Sequence, residues 1–160
     1  MPAQTAAEDR TTENTASALL SLARVMNQFK THDTFRRRAG VDLDRGGAAL
    51  LYKLFSEGED VRLGELAERL GIDSPAVTRK VQQLERDGLV TRSPDPLDAR
   101  ASRVRLAPEG RRSIEKLLAA RELWLDEVLG GWSEHDRAEL ARLLQQLATT
   151  IASQGESHGN

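Results

Sequence analysis

The chain has 160 residues and a formal net charge of −2, with 39% hydrophobic, 30% charged and only 4% aromatic residues. That length suits one core, or a compact lobe with helical extensions, and excludes two large enzymatic domains. The absence of cysteine excludes disulfides, thiolate catalysis, cysteine-based zinc sites and thiol-based peroxide sensing.

Residues 1–14 are small, polar and uncapped, and 153–160 are similar, so both read as disordered tails. The first of them lacks the basic start and apolar stretch of a signal peptide. No segment approaches the ~20 apolar residues that span a bilayer, which predicts a cytoplasmic protein without a membrane partner. From Thr15 to about Arg38, Leu19, Leu22, Met26 and Phe29 recur at spacings of three and four and describe one stripe of a long helix ended by Gly40. A second helix starts near Asp44, a plausible N-cap, with Leu50, Leu51, Leu54 and Phe55 inward; Gly46 and Gly47 weaken its first turn.

A short extended piece surrounds Val61, and Leu63, Leu66, Ala67 and Leu70 then share one face of a helix stopped by Gly71. Asp73 or Ser74 caps the next helix, Pro75 suits its first turn, and Val77, Val81 and Leu84 line its inner face up to Gly88. Leu89 to Arg92 reads as a strand, 93–101 as an irregular loop, and Arg103 to Leu106 as a returning strand with basic residues out. Two helices close the chain. One runs from about Pro108 to Gly130, and the other, capped by Ser133 with Asp136, carries Leu140, Leu143, Leu144, Leu147 and Ile151.

Ala67, Gly71 and Val77 meet the three demands of a helix-turn-helix: a small residue where the helices touch, a left-handed residue at the turn, and a branched apolar residue closing the angle. With Val77, Val81 and Leu84 inward, a turn of 100° per residue puts Pro75, Arg79, Gln82, Gln83 and Arg86 on the opposite face, flanked by Ala76 and Thr78. That is the chemistry of a helix in a major groove, where an arginine fork reads guanine and amides read adenine. Arg79 is the first candidate for a base contact. Ser74, Ala76 and Thr78 suit a phosphate or thymine methyl, and Lys80 borders the buried stripe, where it can also snorkel. Asp98 and Arg100 sit at the hairpin tip, where a fixed arginine suits a narrow minor groove and the aspartate can hold it. Charge distribution agrees. From Arg62 to Arg112 there are 11 basic and 8 acidic residues, or +3; the remainder has 12 and 17, or −5.

The stretch LGELAERLGIDSPAVTRKVQQLERDGLVTRSPDPLDARASRVRLAPEG resembles the core of the MarR family of bacterial regulators, with the motif match covering roughly residues 43–112. The resemblance implies a mainly α fold, a winged helix-turn-helix with long terminal dimerisation helices and a small β-hairpin wing. It assigns 41–107 to the DNA-binding lobe and 15–40 with 108–152 to dimerisation, Leu19 to Phe29 and Leu117 to Ile151 building that interface. Carried over, Arg79 and its neighbours read bases of a pseudo-palindromic operator in double-stranded DNA, and Asp98 orients Arg100 in the minor groove. The function implied is transcriptional regulation by a homodimer, as repressor, released in many members by a small-molecule effector. Phe29, His32 and Arg36 recur along the first helix and are candidates for lining an effector cleft. The sequence departs from the family at Ala99-Arg100, at Ala107-Pro108, and at Gly46-Gly47, which puts the packing of the second helix in question.

An enzymatic reading finds no support: His32, His135 and His158 are far apart without metal-ligand spacing, and no phosphate loop, nucleophile elbow or cofactor motif occurs. The competing reading is a winged helix used for protein contact without sequence-specific DNA binding.

Overall fold

The computed structural model describes residues 2–28, 31–58, 60–98 and 100–157, with side chains described at 10–26, 31–56, 58, 60–98 and 100–154. Among these residues there are seven helices and three strands: α1 (Pro2–Gln28), α2 (Thr31–Ala39), α3 (Arg45–Glu57), β1 (Val61–Arg62), α4 (Leu63–Leu70), α5 (Ser74–Arg86), β2 (Val90–Pro94), β3 (Ser102–Leu106), α6 (Pro108–Val128) and α7 (Glu134–Ser157). The chain divides within α6 into two units, residues 1–120 and 121–160.

The core of the first unit is built where α3, α4, α5 and the sheet converge. Leu50, Leu51, Leu54, Leu66, Val81, Leu84, Val90 and Val104 are fully buried there. Asp44 caps α3 by accepting from the Gly47 amide at 2.7 Å. Glycines in a first helical turn are intrinsically unfavourable by about 1 kcal/mol each, but Gly47 has a packing reason to be there. A Cβ at this position would lie 2.8 Å from Leu43 Cδ1 and 3.2 Å from Leu84 Cδ2. The pair that put the packing of this helix in question thus includes the residue that lets α3 approach α5 closely.

The helix-turn-helix forms as its spacing requires. Gly71 takes φ 63°, its amide donates to the Glu68 carbonyl (3.0 Å), and the Ile72 amide donates to the Ala67 carbonyl (3.2 Å), a Schellman-type ending. Asp73 caps α5 by accepting from the Ala76 amide at 2.9 Å. Ala67 and Val77 are buried, while Ile72, just after the turn glycine, is 45% exposed.

The sheet is larger than the expected hairpin. Its order is β1-β3-β2, all antiparallel, with Val61 opposite Val104 and Val90 opposite Leu106. Two residues of β1 are too few to show alternation, and their partner lies over 40 residues away, so no local signal marks the pairing. Pro94 ends β2, an edge strand, where its missing N–H is tolerated. At the base of the wing the Leu89 carbonyl accepts from the Ala107 amide (3.0 Å), and α6 begins directly over it. Gly110 makes that approach possible, since a Cβ there would fall 1.9 Å from the Leu89 oxygen.

Three sequence-based boundaries are corrected. Residues 2–14 belong to α1 and 153–157 to α7, not to tails, while 1 and 158–160 lie outside the described residues. Side chains 10–25 of α1 are all exposed, so helix formation there follows the propensity of residues such as Ala, Gln, Glu and Arg, not burial. The single helix expected over 15–40 is two, α1 ending at Gln28 and α2 starting at Thr31. The Thr31 hydroxyl donates to the Met26 carbonyl five residues back (3.1 Å), one of several groups in the Thr-His-Asp-Thr run that compete with helical backbone bonds.

In the second unit, Ser133 accepts from the Asp136 amide (3.1 Å) and donates to its carboxylate (2.6 Å), capping α7 as expected. Arg137 donates through Nε and Nη2 to the Leu129 carbonyl (3.1 and 2.7 Å) and closes the end of α6. Leu123, Trp132, Leu143 and Ile151 are exposed, as are Leu19, Leu20, Leu22 and Val25 of α1.

The approach at Gly110 gives a direct expectation. Gly110→Ala forces the start of α6 off the Leu89 carbonyl and lowers unfolding free energy by about 1–3 kcal/mol, the cost of overpacking, measured by urea denaturation; an unchanged midpoint contradicts it.

Candidate functional site

The helix α5 is held on its inner side and free on its outer side. Val77, Val81 and Leu84 are buried, and two ion pairs add directional ties. Lys80 Nζ donates to Asp44 Oδ2 (2.6 Å) on the cap of α3 and to Gln83 Oε1 (3.0 Å). Lys80 is therefore an anchor, and with the Gly47 amide it holds the Asp44 carboxyl below its ordinary range. Glu85 accepts from Arg92 Nε of β2 (2.7 Å), so it joins the helix to the wing strand.

What remains outward is Ser74, Pro75, Arg79, Gln82 and Gln83, all exposed, with Ala76 and Thr78 half-buried beside them. Arg79 and Gln82 have no side-chain partner among the described residues. The Thr78 hydroxyl donates to the Ser74 carbonyl (2.8 Å), so its proton is committed within the helix. An arginine fork and an amide are thus presented by a helix that cannot rotate without breaking its core face, its tie to Asp44 or its tie to Arg92.

The wing is organised by a residue that the sequence did not single out. The Asp95 side chain is fully buried. Its Oδ2 accepts from Arg62 Nε (2.7 Å) and Arg103 Nη1 (3.0 Å). Its Oδ1 accepts from Arg62 Nη2 (3.0 Å) and from the amides of Leu97 (2.9 Å) and Asp98 (3.1 Å). Arg103 also donates from Nη2 to the Asp60 carbonyl, and its Nε lies 2.9 Å from the Asp60 carboxylate, near enough to pair but off line for a hydrogen bond. Arg103, expected to point out with Arg105, is therefore half-buried and engaged. The Arg62 guanidinium first, then the Leu97 amide, hold the Asp95 carboxyl far below the usual carboxylate range. The one local signal was an aspartate at the start of a Pro-flanked turn, which favours bonds to amides two and three residues on. The arginines come from 33 residues before and 8 after.

Asp98 and Arg100 are exposed at the tip, as expected, but not joined as expected. Asp98 Oδ1 accepts from the Arg100 backbone amide (2.9 Å), and no bond to the Arg100 guanidinium forms among the described residues. Two residues of separation favour this Asx-type turn over a side-chain ion pair. Asp98 fixes the loop backbone, and Arg100 extends from it.

Of the three candidate effector residues, Phe29 lies outside the described residues. His32 Nε2 donates to the Leu43 carbonyl (2.8 Å), and Arg36 Nη1 donates to Asp42 Oδ1 (2.6 Å). Both brace the segment entering α3.

Comparison with known proteins agrees with this geometry. The MarR family model matches residues 47–102, from the first turn of α3 to the start of β3. Over 101 residues the chain is 34% identical to the uncharacterized HTH-type transcriptional regulator YdgJ of Bacillus subtilis, covering 63% of this chain and 62% of that protein. A second such regulator of Bacillus subtilis, YsmB, is 28% identical, covering 63% and 66%. The chain thus spans just under two thirds of these relatives' lengths. Among solved structures, a MarR family protein from Bacillus stearothermophilus superposes with a TM-score of 0.74 at 26% identity, over 88% of this chain and 97% of that one. A probable transcriptional regulator from Pseudomonas aeruginosa superposes at 0.61 with 31% identity, over 79% and 93%.

The depressed Asp95 carboxyl has a testable sign. Because the unfolded chain takes up the proton first, the stabilisation is complete above the unfolded value near 4 and is lost as pH falls through the lower folded value. Asp95→Asn should unfold at lower denaturant than wild type at pH 7, and the gap should narrow on acidification below about pH 4. A gap that stays constant with pH contradicts this assignment.

Proposed function

This chain belongs to the MarR family, and we propose on that footing that it is a DNA-binding transcriptional regulator acting as a homodimeric repressor. The observation that carries the reading is Arg79. Its guanidinium stands exposed and unpartnered on the outer face of a helix whose inner face and both ion pairs are fixed to the core and the wing. A major groove supplies the matching acceptors. Arg79 forks onto guanine, Gln82 and Gln83 offer amides to adenine deeper in the groove, and Ser74 to Thr78 meet the backbone at the helix N-terminus. Arg100 enters the neighbouring minor groove, where negative potential is concentrated.

The overall charge of −2 does not oppose this, because contact is made locally. Arg86 and Arg105, also exposed and unpartnered among the described residues, add to the positive side around α5 and the wing.

A second copy completes the reading. Leu20 (69% exposed), Leu123 (63%) and Ile151 (60%) are mostly exposed in one protomer, and fully burying a large apolar side chain is worth about 1.5–3 kcal/mol. Shared between two copies, these faces support a twofold dimer with its recognition helices about 34 Å apart, hence a pseudo-palindromic operator.

Two measurements test this. Fragments selected from genomic DNA should bind with affinity that falls log-linearly with salt, and Arg79→Ala should weaken binding by roughly 10- to 100-fold while relaxing preference at one base pair. Equal binding by wild type and Arg79→Ala removes that residue from the interface. Sedimentation should give twice the 17.7 kDa chain mass, and a combined Leu20→Glu, Ile151→Glu variant should shift it toward a single chain; a monomeric wild type defeats the dimer.

A further inference from the structure

Leu97 is 88% exposed, the most exposed of the large hydrophobic side chains among the described residues. Most of the others lie on helices, at Leu19–Val25, Tyr52, Leu123–Val128 and Leu143–Ile151, while Ile72 and Trp132, in turns, are about half as exposed (45% and 49%). Leu97 stands alone on the wing loop between β2 and β3, with Pro96 exposed before it and Asp98 after it.

The backbone beneath it is held firmly. The Leu97 and Asp98 amides donate to the buried Asp95 carboxylate at 2.9 and 3.1 Å. The Asp95 amide donates to the Ala101 carbonyl (3.0 Å), the Ala101 amide to the Asp98 carbonyl (2.9 Å), and the Arg100 amide to Asp98 Oδ1 (2.9 Å). Five amides of a short loop are thereby satisfied inside the loop. The fold commits these bonds to a segment whose two projecting long side chains, Leu97 and Arg100, make no contact that stabilises the fold. An arginine and an isolated aliphatic group on one fixed tip match a surface that is anionic along its rims and apolar along its walls. The minor groove is such a surface, with phosphates at its edges and deoxyribose and stacked base edges within.

We propose that Leu97 is a second DNA-reading residue of the wing: an apolar wedge that packs into the minor groove beside Arg100 and favours a deformable base step under the tip. The inference rests on the DNA-binding reading above. Arg100 supplies a salt-dependent contact, and Leu97 a salt-independent one. Pyrimidine–purine steps unstack most readily, so the wedge confers a preference at base pairs to which no donor or acceptor is directed.

The test is fluorescence anisotropy with a selected operator fragment and the full chain, across a salt series. Leu97→Ala is expected to weaken binding about tenfold, in keeping with loss of most of a buried leucine's contribution, with the slope of log K against log salt unchanged. Arg100→Ala should lower that slope by about one. Leu97→Met should bind like wild type. Replacing a TA step beneath the wing by an A-tract should weaken wild type and leave Leu97→Ala unaffected. Because Leu97 makes no core contact, each variant should keep the wild-type thermal midpoint. Binding of Leu97→Ala within twofold of wild type overturns the proposal while leaving the DNA-binding reading intact. A change in oligomeric state with unchanged DNA affinity also overturns it, assigning Leu97 to a protein contact. Failure of the wild-type chain to bind any selected DNA removes both.

Discussion

A carboxylate taken out of water must have all its lone pairs answered, and Asp95 has five donors for two oxygens. Desolvating such a group is costly unless charge and hydrogen bonds are both restored, and here two guanidinia and two amides restore them. The consequence is positional. Arg62 comes from β1, Arg103 from β3, and the amides from the loop itself, so one buried charge fixes β1, β3 and the wing tip together. Arg103 in turn reaches Asp60, which brings the segment before β1 into the same network.

The helix α5 depends on the same strategy in a milder form. Its apolar stripe alone permits sliding and small rotations, because hydrophobic contacts are not directional. Lys80 on Asp44 and Glu85 on Arg92 are directional, and they act near the middle and end of α5, toward α3 and β2 respectively. Exposed ion pairs contribute little to stability, so their value here is orientation. Lys80 and Arg92 are used inside the protein, while Arg79, Arg86, Arg100 and Arg105 are left outside. Which arginines are available to a partner is therefore decided by which aspartates and glutamates the fold brings near the others.

Glycine has two distinct tasks in the lobe. Gly71 supplies a left-handed backbone at the turn between α4 and α5, and any side chain there is strained by conformation. Gly47 and Gly110 supply space, the one between α3 and α5, the other between α6 and the Leu89 carbonyl. Sequence patterns detect the first task readily, because it sits between two periodic segments. The second is visible only when the neighbouring element is in place.

The sequence by itself determined the elements and the motif. Apolar spacing set the inner faces of α3, α4 and α5, Gly71 and the Asp44 and Asp73 caps set their ends, Ser133 set the start of α7, and the small–glycine–valine spacing set the turn; all of these are local effects within a few residues of chain. It also placed Arg79 and Gln82 on the outer face of α5, since facing follows from period alone, and Arg100 at the hairpin tip. Tertiary structure decided what was non-local: the pairing of β1 with β3, the burial of Asp95 between arginines, the use of Lys80 and Glu85 as ties, and the binding of Asp98 to a backbone amide instead of a guanidinium. These depend on distances between residues tens of positions apart, or on a competition between two nearby donors, and no periodicity or composition records either. The start of α1, residues 2–14, belongs to a third kind, a stretch with adequate helix propensity whose polar pattern reads equally well as a tail.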